Sequence, residues 1–183
     1  MNIPPHATKV HQGIVYDVYN WEQKLFDGTT KTFEGLKRRP AVQIFATTPE
    51  GMVLLKEEQP GQQPYLSLPG GNVDSDDVLA CAKRELLEET GLTSETWILW
   101  KKIPLGLSIE FDTYYYIAKN CKKLQEQSLD KGGERISIEH LPLKEFLQTL
   151  KDGHVRNEIL QAMATTLYHE DHKFQEFSQL LDT

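Results

Sequence analysis

Gly70-Gly71-Asn72-Val73-Asp74-Ser75-Asp76-Asp77 leads into Arg84-Glu85-Leu86-Leu87-Glu88-Glu89-Thr90-Gly91-Leu92, and no other part of the chain constrains its architecture as tightly. From about Asp76 to Thr90, Leu79, Ala82 and Leu86 recur at helical spacing, which predicts a helix with one face in the core. Asp74 or Ser75 can cap its start, acids in the first turn suit the helix dipole, and Gly91 suits the position just past its end. At about 100° per residue, Glu85 and Glu89 lie one turn apart, and Glu88 lies about 60° to the other side of Glu85. Three carboxylates thus share a face beside the apolar one. Arg84 stands one turn before Glu88 and can hold that carboxylate by a forked contact.

A solvated acidic face explains most Glu-rich helices, but it fits this one poorly. Like charges at these spacings repel by about 0.2–0.5 kcal/mol per pair, and carboxylates late in a helix also oppose its dipole. Only Arg84 and the neighbouring Lys83 offset this locally. A hard divalent cation would offset it better, since Mg²⁺ prefers oxygen ligands and retains waters for a phosphate-bearing substrate. Gly70 and Gly71, lacking side chains, would let a backbone carbonyl approach the same ion.

Toward the N-terminus the chain reads as strands. Gly13 to Tyr19 alternates with aromatic and β-branched residues, and Trp21 to Phe26 and Thr29 to Leu36 flank Asp27-Gly28, a two-residue hairpin signal. Ala41 to Thr47 and Met52 to Lys56 form a second apolar pair, followed by a short Tyr65 to Leu68 stretch and the breaker Pro69-Gly70-Gly71. Beyond the helix, strands are expected at Trp97 to Lys101, Glu110 to Ala118 and Ile136 to Ile138. Helices are expected at Leu143 to Leu150, Val155 to His169 and Lys173 to Leu181. Strands, one central helix, strands and terminal helices describe a mixed α/β domain.

Composition excludes other classes. The 183 residues carry 27 acidic and 20 basic side chains, a formal charge of −7, and no dense Lys/Arg stripe, which disfavours a nucleic-acid polymer as partner. No apolar run approaches the ~20 residues of a spanning helix, and Met1 to His6 lack a secretory pattern, so no membrane partner is expected. Cys81 and Cys121 provide neither a disulfide framework nor a structural zinc site, which points to the reducing cytoplasm.

The acidic segment resembles the Nudix box, Gly-x5-Glu-x7-Arg-Glu-(aliphatic)-x-Glu-Glu-x-Gly-(aliphatic). Arg84, Glu85, Leu86, Glu88, Glu89, Gly91 and Leu92 match it position by position. Asp76 falls where the box has its first Glu, and the opening loop is one residue short from Gly71 unless Gly70 is the first Gly. The resemblance implies an α/β/α sandwich with a mixed sheet, an N-terminal antiparallel hairpin and C-terminal helices. Residues 1–183 would form a single domain, with the hairpin region at about 13–38, the catalytic core at about 39–150 and the closing helices at about 151–183. It also implies hydrolysis of a nucleoside diphosphate linked to another moiety, with Mg²⁺ or Mn²⁺ as cofactor. Glu85 and Glu89 would be the main metal ligands, Glu88 would share metal or water, Arg84 would orient the glutamates, and Gly70 would offer its carbonyl.

Outside the box the chain is most similar to the ADP-ribose pyrophosphatase branch, through the hairpin before Arg39-Pro40-Ala41-Val42 and the closing helix. That similarity implies a homodimer that exchanges N-terminal strands and stacks their aromatic residues on adenine. Trp21, Phe26 and Phe33 are the candidates, the alternative being that they pack the core or sheet face. Arg39 would hold the diphosphate or else support strand pairing. Glu57-Glu58-Gln59-Pro60 stands where the branch often has Gln-x-Arg-Pro, so that arginine is absent, and Pro104 comes earlier than the branch's proline. Glu134, after Gly132-Gly133, is either a late catalytic acid on a loop or an ordinary exposed one. A non-hydrolytic nucleotide-sensing module on the same fold is the alternative function, which the intact Glu85, Glu88 and Glu89 disfavour.

Overall fold

Alternation along the central strands divides the core in two. The computed structural model describes residues 3–105, 109–129, 133 and 135–182. In β4 (Ala41–Thr48), Val42, Ile44 and Ala46 point to one side and Phe45 to the other. β5 (Gly51–Glu58) and β10 (Ile109–Lys119) repeat the pattern, with Val53, Leu55, Tyr116 and Ala118 on the first side and Leu54, Tyr115 and Ile117 on the second. A period of two places successive side chains on opposite faces, so both faces of these strands need cover.

One face is covered by α1 (Val78–Thr90) through Cys81, Ala82 and Leu86. The other is covered by α2 (Leu143–Asp152), α3 (Glu158–His169) and α4 (Asp171–Leu181). Phe146, Leu147, Leu150, Leu160 and Phe177 from these helices close around Phe45, whose ring centroid lies 5.2 Å from that of Phe177. The result is the expected α/β/α sandwich on a mixed sheet.

The sheet also contains β1 (Thr8–Gln12), β2 (Tyr16–Lys24), β3 (Thr30–Arg38), β6 (Tyr65–Ser67), β7 (Gly70–Asn72), β9 (Thr96–Leu105) and β12 (Arg135–Leu141). Its order is β1-β2-β3-β10-β4-β5-β12, with β9 on β10, β7 on β4 and β6 on β5. A separate two-stranded ladder joins β8 (Leu92–Thr93) and β11 (Lys122–Lys123). β10 runs parallel to β3 and β4 and antiparallel to β9. β4 has a split partnership: its first residues pair with β7, Gln43 opposite Gly70, and its last with β5, Thr47 opposite Met52. The opening between these arms positions the site.

Several local expectations change. Gly13 to Val15 turn between β1 and β2, with the Gly13 N–H donating to Tyr16 O at 3.0 Å, so the strand begins only at Tyr16. β1, wholly exposed, lacks the apolar alternation that would reveal it. The β2–β3 connection is longer than two residues, because Asp27 Oδ1 accepts from the Thr29 N–H at 2.9 Å and folds the loop back on itself. Pro69 breaks the chain, yet Gly70 and Gly71 continue as β7. α1 is capped by Asp77, whose Oδ1 accepts from Ala80 N at 2.9 Å, rather than by Asp74 or Ser75, and no acid lies in its first turn. Asn157 caps α3, so residues 155–157 precede that helix instead of starting it. No helix among the described residues is long and apolar enough to cross a membrane.

Candidate active site

α1 ends at Gly91, which adopts φ 70° and donates its N–H to Leu87 O at 2.8 Å. This left-handed cap fixes the last two turns of the helix, where the carboxylates stand. β7 runs beneath them. A Cβ on Gly71 would lie 2.5 Å from the Glu85 carboxyl carbon, and one on Gly70 would lie 2.1 Å from Val42 O. The glycine pair therefore brings strand and carboxylates into contact that no larger residue would permit. The Gly70 N–H donates to Glu89 Oε2 at 2.8 Å.

Arg84 lies among three acids. Its Nη2 is 2.8 Å from Glu85 Oε1 and 3.2 Å from Asp74 Oδ2, and its Nη1 is 2.9 Å from Glu88 Oε2. The acid that reaches Arg84 from before the helix is thus Asp74, two residues ahead of the box-aligned Asp76, which lies exposed. The Cys81 thiol donates to Asp74 Oδ1 at 3.2 Å, and this bond, with Arg84 next, lowers the Asp74 pKa. Burial pushes the Glu85 pKa up against the pull of Arg84, and Glu88 pushes it further. Burial works against the charge of Arg84, but Glu85, Glu88 and Asp74 together raise its pKa.

These groups line a cleft of about 1160 Å³. Glu57, Asp74, Glu85, Glu88, Glu89 and Glu158 contribute acid; Arg38, Arg39, Arg84 and Arg156 contribute base. The chain has five arginines among its 20 basic residues, so four of the five converge here, while no described lysine does. Among the described residues Arg84 is the only arginine in an ion pair with a carboxylate. Arg38 is engaged by Phe111 and Asn72, which leaves Arg39 and Arg156 for an anion in a protein of net charge −7.

Among the described residues no three acid, imidazole or thiol groups form a closed cation cage. The all-oxygen donor set nevertheless suits Mg²⁺ or Mn²⁺, because a hard cation takes one or two carboxylates and leaves positions for water and phosphate. Burial raises the Glu85 pKa against the pull of Arg84, and a cation beside this carboxylate would favour its charged form.

Of the residues expected at the site, Gly70, Arg84, Glu85, Glu88, Glu89 and Arg39 line the cleft. Trp21 and Phe33 do not border this chain's cleft. Trp21 is buried in the N-terminal hairpin with its ring centroid 6.0 Å from that of Phe33. Phe26 stands fully exposed near the hairpin turn. Glu134 lies outside the described residues. The sequence reading missed Tyr65, Phe111 and Arg156, and it did not place Glu57 in the cleft. Arg38 covers the Phe111 ring, its guanidinium carbon 4.6 Å from the centroid.

The NUDIX domain model matches residues 37–163, well over half of the chain. The chain belongs to the Nudix family. That range holds the carboxylate helix and the cleft arginines alike. This Nudix chain is 24% identical over 152 residues to an ADP-ribose pyrophosphatase of Bacillus subtilis (strain 168), covering 80% of its own length and 82% of the relative's. Its fold is similar to that in the crystal structure of an ADP compounds hydrolase, with a TM-score of 0.71 and 20% identity, covering 93% and 94% of the two chains.

Proposed function

We propose that this Nudix protein hydrolyses the pyrophosphate bond of a nucleoside diphosphate linked to another moiety, ADP-ribose or a related nucleotide sugar foremost, with Mg²⁺ or Mn²⁺. The observation that carries this reading is the two-sided cleft: clustered carboxylates on α1, and arginines as its only described basic residues. Carboxylates cannot bind a diphosphate directly without repulsion, and a cation shared by both resolves the conflict. Planar guanidinium groups match phosphate oxygens in pairs, which lysines do not. The names of the two relatives, ADP-ribose pyrophosphatase and ADP compounds hydrolase, supply the substrate class.

Within this reading Glu85 and Glu89 hold the cation, and Glu88 shares it or accepts a proton from water. Bound there, the cation's chemistry is polarisation of phosphoryl oxygens and activation of water. Arg84 offsets the repulsion between Glu85 and Glu88 and aims them, and the Gly70 N–H fixes one oxygen of Glu89. Arg39 takes part in holding the diphosphate. Residues 1–183 act as one domain in a cytoplasmic homodimer, in which Phe33 of one chain, more accessible than the buried Trp21, stacks on the base bound by the other.

The test is a panel of nucleoside diphosphate compounds incubated with Mg²⁺, Mn²⁺ or chelator, scored by release of nucleoside monophosphate. Hydrolysis should require the cation. Glu89→Gln should slow turnover by roughly a hundredfold or more, the scale of losing one electrostatic contact to a transition state. Full activity in that variant would remove the helix from the metal site. Binding of ADP-ribose without hydrolysis under either cation would identify a nucleotide-sensing module instead.

A further inference from the structure

The hydroxyl of Tyr65 joins three cleft residues. It donates to Glu57 Oε2 at 2.5 Å and accepts from Gln59 Nε2 and from Arg156 Nη1, each at 3.2 Å. A phenol offers one donor and two lone pairs, so this hydroxyl is saturated. Tyr65 is 5% exposed, and burial, reinforced by the bond to Glu57, pushes its pKa up to about 12. Its proton therefore stays on oxygen, and the direction of all three bonds is fixed. Ser67 Oγ holds the other oxygen of Glu57.

Arg156 is held at both ends. The Leu66 N–H donates to His154 O at 2.7 Å, Leu66 bridges to Val155, and Asn157 caps α3 by accepting from Ile159 N and Leu160 N. These contacts pin the backbone on either side of residue 156 to β6 and α3. At the other end the guanidinium carbon lies 5.4 Å from the Tyr65 ring centroid, with Nη1 on the hydroxyl. The side chain is exposed to the cleft, no described carboxylate pairs with it, and one described hydrogen bond engages its five N–H groups. Arg38, by contrast, is spent on Phe111 and Asn72. A guanidinium aimed in advance loses less freedom on binding than one that must be ordered.

We infer that Arg156, oriented by Tyr65, grips the diphosphate oxygens of the substrate alongside Arg39. The assignment rests on the hydrolase reading above. Gln59 reaches the same hydroxyl, so an arginine at position 59 would present its guanidinium to the same part of the cleft.

The experiment compares wild type, Arg156→Gln, Tyr65→Phe and the double variant Arg156→Gln/Gln59→Arg. It reads KM and kcat for the best nucleoside diphosphate substrate with Mg²⁺, and the Kd of ADP by calorimetry without divalent cation. Arg156→Gln should raise KM and Kd by about ten- to a hundredfold, as expected for a charge-assisted contact, with a smaller change in kcat. Tyr65→Phe, which keeps the charge but frees the side chain, should give an intermediate rise. The double variant should regain part of the affinity lost in Arg156→Gln. An active wild type whose KM and Kd are unchanged by Arg156→Gln overturns this assignment alone. A lowered Tm with unchanged Kd does the same, by showing that Arg156 only supports the fold. A wild type that neither binds ADP nor hydrolyses any compound overturns the hydrolase reading, and the assignment with it.

Discussion

Glu85 carries two opposed demands. It lies half-buried over Gly71, where its carboxylate is close enough to forbid a Cβ, yet it shares Arg84 with Glu88 and Asp74. Burial raises its pKa above the ordinary 4.5, Arg84 opposes the rise and Glu88 adds to it. Between the ordinary value and the raised one, the unfolded chain gives up a proton that the native chain keeps. The stability tied to Glu85 is therefore fully present below pH 4.5 and is lost as pH rises through the native pKa. Glu85→Gln removes that loss. Without divalent cation the variant should melt at or above the wild type at pH 7, with the gap closing as pH falls toward 4.5. Mg²⁺ should close it from the other side, by stabilising the wild type. Thermal unfolding across pH measures this, and a variant melting well below wild type at pH 7 would show that the Arg84 ion pair outweighs burial.

At the level of elements, α1 is anchored by Asp77 at one end and Gly91 at the other, with the carboxylates gathered near the second. Asp77→Ala should cost about 1 kcal/mol of stability, as for a lost N-cap, and leave kcat nearly unchanged because the carboxylates stand in the last turns. Chemical denaturation beside a rate assay separates the two effects; a large fall in kcat would mean that the whole helix shifts. The helix itself was legible because its periodicity and the Arg84 to Leu92 spacing are local properties. Its cap was not, since Asp74, Ser75 and Asp77 are all competent cappers, and the choice depends on Asp74 being drawn away to Arg84 and Cys81. β7 was hidden for a similar reason: glycines signal a break, and only the proximity of Val42 O turns them into a strand. Arg156 left no local signal at all. It meets Tyr65 across 91 residues, where the contacts of Leu66 with His154 and Val155 bring the two segments together.

Across the whole molecule, the apolar groups left in water concentrate in the N-terminal strands and their turns. Ile14 and Phe26 are fully exposed, and Val10 and Val15 are about half exposed. In the proposed dimer a second copy covers them and brings Phe33 of one hairpin toward the other's cleft. Light scattering at micromolar concentration should return twice the chain mass of 21.0 kDa, and a mass near 21.0 kDa would contradict the dimer. In that dimer, Phe33→Ala should raise KM by roughly five- to a hundredfold with little change in kcat, the signature of lost base stacking.

The absence of described lysines from the cleft has a chemical corollary. Acylation of amines, whether by activated metabolites or by laboratory esters, would make the net charge more negative than −7 while leaving every cleft guanidinium cationic. Dicarbonyl reagents, which attack guanidinium groups, would strike mainly within the cleft, with exposed Arg135 the one arginine of the five outside its lining. Covalent attachment to a surface through amines therefore spares the cleft guanidinium groups, whereas dicarbonyl labelling serves as a footprint of whatever anion occupies them.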